Sequence, residues 1–199
     1  MEQRGRVSDK MKKVFIDGGA NVGQSIRSFK KNFSDWSDYE IHSFECNPEL
    51  IPQLTEYKEY ATIYENALWV KNEELIFYLN GNNKNDGGSL RDDKTTGRLK
   101  FTQPINVKAI DIVEFIKLNF KESDYIILKL DVEGAEYDII PHLLNNNMFG
   151  LYIDELYVEF HYNKLKNINK EHHDTIIYRL NKCGIHPKYW DAHRNFVEK

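Results

Sequence analysis

Val14-Phe15-Ile16-Asp17-Gly18-Gly19-Ala20-Asn21-Val22-Gly23 is the stretch on which the fold turns. A short apolar run passes directly into glycines and small polar residues, which predicts a buried strand, a tight loop and the start of a helix. Gly19 and Gly23 let the backbone approach a ligand closely, and Asp17 at the strand end can fix the loop or accept a hydrogen bond from a cationic amine.

Working outward, the same βα grammar repeats. Tyr39 to Phe44 is a second strand ending at Glu45, and Pro48 sits where a helix can begin without losing a needed N–H. Ala61 to Tyr64 resembles a third strand, and Leu75 to Leu79 another strand or a hairpin arm. Asn80 to Gly97, rich in Asn, Gly, Asp and Lys, predicts a mobile surface loop of the kind that often serves as a lid. Asp111 is placed to cap a helix carrying Ile112, Val113, Phe115 and Ile116, and Tyr125 to Leu130 is a central strand. After Asp131-Val132-Glu133-Gly134-Ala135-Glu136, the spacing of Tyr137, Ile139, Ile140, Leu143 and Leu144 predicts a helix. Leu151 to His161 reads as a strand, Asp174 to Leu180 as part of a helix, and Ile185 to Val197 as a closing hairpin around Asp191-Ala192. Strands alternating with helices imply an α/β, Rossmann-like, doubly wound and mainly parallel sheet.

Composition sets the frame. A chain of 199 residues with 41% hydrophobic content can bury one good core, so residues 13–199 are expected to form one domain. Residues 1–12 are polar and lack a core pattern; they are expected to be a flexible tail or a linker, the latter making this one domain of a larger chain. The net charge of −4 gives no general reason to bind nucleic acid or an anionic membrane, and Lys164, Lys166 and Lys170 read as a solvated face. No apolar run approaches the ~20 residues of a membrane span. Cys46 and Cys183 form no CxxC, which fits a reducing, cytoplasmic compartment.

In open α/β sheets ligands bind beyond the carboxyl ends of the strands, at the switch in strand order. Glu45 ends the second strand about twenty residues after the glycine loop, where it can accept hydrogen bonds from both hydroxyls of a ribose. Together, the loop and the acid favour a nucleoside-bearing cofactor. Ala20 stands where a dinucleotide fingerprint would carry its second glycine, which weakens an NAD-dependent oxidoreductase and favours a cofactor without phosphates.

Three ordered segments, Phe15 to Gly23, Ser43-Phe44-Glu45-Cys46-Asn47-Pro48 and Leu128-Lys129-Leu130-Asp131-Val132-Glu133-Gly134-Ala135-Glu136, resemble the signature segments of FkbM-type methyltransferases. Asn66-Ala67-Leu68 and Gly88-Ser89-Leu90 resemble further features of that family, and the resemblance spans about residues 14 to 161. It implies a class I methyltransferase-like fold, S-adenosylmethionine as cofactor, and O-methylation of a small or carbohydrate-like acceptor, sugar hydroxyls being the expected class. It also implies that Asp17, Gly19 and Asn21 line the amino-acid end of the cofactor, that Glu45 holds the ribose, and that Asn66 and Ala67 flank the adenine. Ser89 is a candidate cap on the cofactor or acceptor.

A second cluster comprises Asp131 and Glu133 at one strand end with Glu159 and His161 at the next. Glu159 and His161 lie two apart and can point together toward the Asp131 loop. Methyl transfer to a hydroxyl needs a proton acceptor, and an imidazole near its reference pKa suits that task, with Asp131 orienting it or the acceptor. The alternatives are a hydrogen-bonded structural histidine, and a divalent metal held by Asp131, Glu159 and His161 against the acceptor oxygens. A non-catalytic module that keeps the nucleoside pocket also fits these residues.

Overall fold

The computed structural model describes residues 10–81 and 87–190. Strand β1 (Lys13–Gly18) lies at the centre of a six-stranded, wholly parallel sheet. It is flanked by β2 (Tyr39–Phe44) and then β3 (Ala61–Tyr64) on one side. On the other side stand β7 (Tyr125–Leu130), β8 (Ile153–Val158) and the short β9 (Lys188–Tyr189). The order reverses between β1 and β7, so the switch point falls at Gly18 and Leu130, which are register partners.

Both faces of this sheet are covered, as its near-continuous apolar strands require. Phe15 and Ile127 point toward α1 (Gln24–Asn32), where Phe15 stacks on Phe29 with ring centroids 4.1 Å apart. Val14, Ile16, Leu128 and Leu130 point the other way, against α2 (Ile112–Asn119), α3 (Glu136–Asn145) and α4 (Lys170–Lys182). The period-2 alternation of β1 thus divides one strand between two cores. Asp111 caps α2 as its sequence position implies, accepting from the N–H groups of Val113 and Glu114.

Several elements differ from the sequence expectation. No helix starts at Pro48: the side chain of Asn47 accepts from the Glu49 N–H at 3.0 Å, and this local turn delays winding until a 3₁₀ helix at Ile51–Tyr57. A second sheet joins β4 (Ala67–Trp69), β6 (Ile105–Asp111) and β5 (Glu73–Phe77), with β6 in the middle. Of these only β5 was expected, and it begins two residues before Leu75. The stretch from Asn80 to Gly97 is not a free surface loop where it is described. Tyr78 and Ser89 exchange backbone hydrogen bonds, Lys94 bridges to Leu165, and Asn80, Ser89, Asp93 and Lys94 are buried. Residues 82–86 of that loop lie outside the described residues, as do residues 1–9 of the expected tail. Lys12 is tied to the sheet, its N–H donating to Asp124 at 2.9 Å. Only Ile185 to Trp190 of the expected closing hairpin is described; it supplies β9, parallel to β8, while Asp191-Ala192 lies outside. Among the described residues no helix is long and apolar enough to cross a membrane.

Candidate active site

The loop after β1 is held at the switch point by its neighbours. The N–H groups of Gly19 and Ala20 both donate to the Phe44 carbonyl, and the Asp131 N–H donates to the Gly18 carbonyl at 3.1 Å. Gly19 has φ +80°, and a Cβ there would lie 2.0 Å from the Asp131 carbonyl oxygen. Glycine is required by both backbone conformation and space. Beyond it, Asn21 donates its N–H to Glu45 Oε2 at 2.8 Å, while Glu45 Oε1 accepts from the Asn47 N–H at 2.8 Å. Glu45 therefore clamps the first two βα loops together. Burial pushes its pKa up, against the lowering effect of these two N–H groups. Each carboxylate oxygen retains acceptor capacity for a further donor.

These residues border a cleft beyond the strand ends. Gly19, Asn21, Glu45, Asn66, Ala67, Asp131 and Glu133 all line it, so seven of the sequence candidates converge on one cavity. Phe44, Leu68, Phe77 and Leu90 supply apolar wall, and Gly87 and Gly88 bring the returning loop over it. Asn66 holds its place weakly, through a 3.5 Å contact from Nδ2 to the Lys108 carbonyl.

Two of the cofactor-binding candidates, Asp17 and Ser89, do not line the cleft, and neither do Glu159 and His161. Asp17 is fully buried beneath the loop, accepting from Ser25 at 2.5 Å and Ser43 at 3.3 Å and pairing with Lys129 at 3.1 Å. The register explains the set, because Asp17 is opposite Ser43 on β2 and Lys129 on β7. Asp17 braces the loop from below and is not part of the cleft lining. Ser89 is likewise a brace: its hydroxyl donates to the Glu133 carbonyl at 2.8 Å and accepts from the Arg91 N–H. Lys129 had no assigned role in the sequence. It is 1% exposed and donates to the carbonyls of Gly18 and Gly19, at 3.2 and 2.7 Å. A lysine within an otherwise apolar central strand was the available signal.

At the Asp131 end the carboxylates gather. Asp131 Oδ2 accepts from the Trp190 indole N–H at 3.2 Å, giving Trp190 a polar role beyond packing. Burial pushes the Asp131 pKa up to about 6. Glu133 pairs with the buried Lys94 at 2.7 Å. The fully buried His161 has Glu159 at 3.4 Å, Glu133 at 3.5 Å and Asp131 at 3.8 Å from its Nε2, and Glu136 at 3.1 Å from its Nδ1. Burial is the largest influence on this imidazole and works against its charged form. The side-chain contacts with Glu136 and Glu159 and the charges of Glu136 and Glu133 outweigh it and push the pKa up to about 10. That shift favours the imidazolium, the form that lacks the lone pair needed for the general-base role expected of His161.

Other polar candidates are occupied elsewhere. His173 contacts the Tyr137 hydroxyl at 2.9 Å, Lys164 approaches Glu159 at 3.6 Å, and Lys170 pairs with Asp174.

A family model described as a methyltransferase FkbM domain matches residues 17–186, most of the chain and all of the residues around the cleft. No match was found among curated proteins or among solved structures.

Proposed function

This chain belongs to the FkbM methyltransferase family, and we propose that it transfers a methyl group from S-adenosylmethionine to a hydroxyl oxygen of a small or carbohydrate-like acceptor. The observation that carries this reading is the charge of the cleft. Its described lining includes three carboxylates, Glu45, Asp131 and Glu133, and neither lysine nor arginine. Such a lining suits a cofactor that carries an ammonium and a sulfonium. It disfavours a dinucleotide, whose pyrophosphate would be repelled by the same carboxylates. The residues present therefore fit S-adenosylmethionine better than NAD.

When bound, S-adenosylmethionine supplies an electrophilic methyl group on a positively charged sulfur. Glu45, preoriented by the N–H groups of Asn21 and Asn47, would accept from the ribose hydroxyls. Ala67, Asn66 and the apolar wall of Leu68, Phe77 and Leu90 would flank the adenine. Gly19 and Asn21 would border the amino-acid end, supported from below by Asp17 and Lys129. Asp131 and Glu133 mark the end where an acceptor hydroxyl would approach, and a carboxylate there would receive its proton. Alignment of the two reactants in one cleft would supply much of the acceleration.

The test is release of S-adenosylhomocysteine on incubation with a panel of mono- and oligosaccharides, with the methylated position read by mass spectrometry and NMR. An O-methyl ether as product supports the reading. Transfer only to nitrogen or carbon acceptors would contradict it.

A further inference from the structure

We propose that Asp131, Glu159 and His161 form a site for a divalent cation at the acceptor end of the cleft, with Glu136 as the positioning group behind the imidazole. The inference rests on the reading that acceptors are methylated here, but the site itself is argued from its own geometry. One ligand atom from each of the three residues falls within 4.8 Å of the others. Donors bound at about 2.1 Å around one cation stand roughly 3 to 4 Å apart, so the set needs little contraction to close on an ion. Nε2 of His161 is 3.4 Å from Glu159 and 3.8 Å from Asp131.

Carboxylates alone would not identify such a site. The second observation is His161 itself: the side chain is 1% exposed, and Nε2 is aimed among Glu159, Glu133 and Asp131 at 3.4 to 3.8 Å, in ion-pair reach of each but in good hydrogen-bond geometry with none. Three carboxylate oxygens converging on one buried nitrogen form the donor set that a cation would draw together. The other nitrogen of His161 explains the orientation. Nδ1 faces Glu136 Oε1 at 3.1 Å, and Glu136 is itself fixed by the N–H groups of Gly134 and His161, each at 2.8 Å. With the Nδ1 proton directed to a carboxylate, an ion that displaces the Nε2 proton to solvent would meet the imidazole lone pair there. This is the carboxylate–histidine–metal arrangement that fixes tautomer and ring orientation. Asp131 is prepared in the same way, because Trp190 occupies Oδ2 and leaves Oδ1 toward His161.

Two carboxylates and one imidazole suit Mn²⁺ and related ions, with open positions left for water or acceptor oxygens. Asp131 also lines the cleft, so an ion here would meet an acceptor hydroxyl and lower its pKa. The acceptor class that best uses such an ion offers two neighbouring hydroxyls, as a sugar diol does.

The experiment is titration of the purified chain with Mn²⁺, followed by loss of the free-ion electron paramagnetic resonance signal, with no cofactor or acceptor present. One Mn²⁺ per chain is expected, with binding weakened at least tenfold in Glu159→Gln and about tenfold in Glu136→Gln. Circular dichroism of each variant establishes folding. Absence of stoichiometric binding to folded wild type up to millimolar Mn²⁺, or binding unchanged in folded Glu159→Gln, would overturn the site. A parallel titration with S-adenosylhomocysteine separates the two readings. Intact nucleoside binding without Mn²⁺ binding removes the cation alone, whereas Mn²⁺ binding without nucleoside binding removes the cofactor assignment.

Discussion

Replacing Gly19 with alanine should damage the fold and the cleft together. The residue has φ +80°, a conformation that costs a non-glycine residue about 1–2 kcal/mol. The added methyl would also lie 2.0 Å from the Asp131 carbonyl oxygen and 3.0 Å from its carbonyl carbon, so the β7–α3 loop must retreat by roughly 1 Å or more to restore contact distance. That retreat loosens the hydrogen bond from the Asp131 N–H to the Gly18 carbonyl, at a cost of about 1 kcal/mol. The combined loss is about 3 kcal/mol, equivalent to roughly 6–12 °C in melting temperature for a chain of this length. Gly184→Ala is the control. It has φ +77° but nothing within 4 Å of its added Cβ, so it isolates the backbone cost at about 1 kcal/mol. Urea unfolding of both variants measures the difference, and calorimetric titration with S-adenosylhomocysteine should show binding to Gly19→Ala weakened at least tenfold. Equal destabilisation by the two substitutions, or unchanged binding to Gly19→Ala, would refute the reasoning.

Lys129→Met should cost about 3–5 kcal/mol, because it leaves Asp17 buried with its charge uncompensated; adding Asp17→Asn should recover part of that loss in chemical denaturation. Phe29→Ala, which removes a fully buried ring stacked on Phe15, should cost about 3–5 kcal/mol in the same assay. Asp93→Asn should cost about 2 kcal/mol at neutral pH, since the hydrogen-bonded ion pair with Arg91 holds the Asp93 pKa below its ordinary value. A depressed folded pKa means that this stabilisation is complete above the unfolded pKa near 4 and fades as pH falls through the lower folded value. The stability gap between wild type and Asp93→Asn should therefore close on acidification, and a gap that widens would contradict the assignment.

The parallel sheet was legible where a strand's apolar run ends in a sharp change of residue type. β1, β2 and β7 are each followed by such a change, and Gly19, Asn21, Glu45 and Asp131 were found because they occupy those ends. The surroundings of Asp17 were not legible because they depend on register: only the pairing of β1 with both β2 and β7 puts Ser43 and Lys129 beside it. β6 carried a usable signal in Ile105, Val107 and Ala109, which alternate with more polar Asn106 and Lys108. Its partner β4 spans only three residues, too short for a pattern. The Asn-rich loop was misjudged because its composition favours exposure, whereas Ser89, Asp93 and Lys94 are buried by bonds to distant segments. The charge state of His161 was not legible either, since it comes from Glu133, Glu136 and Glu159 converging from three elements.

The claim at the centre of this account is that the cleft beside Glu45 takes a nucleoside whose ribose it holds and whose chemistry is cationic. The most direct measurement is a calorimetric titration of wild type and Glu45→Ala with S-adenosylhomocysteine and with NADH. Saturable one-to-one binding of S-adenosylhomocysteine is expected, at least tenfold weaker in a folded Glu45→Ala variant, with no comparable binding of NADH. Selective NADH binding, or S-adenosylhomocysteine binding indifferent to Glu45, would contradict the claim.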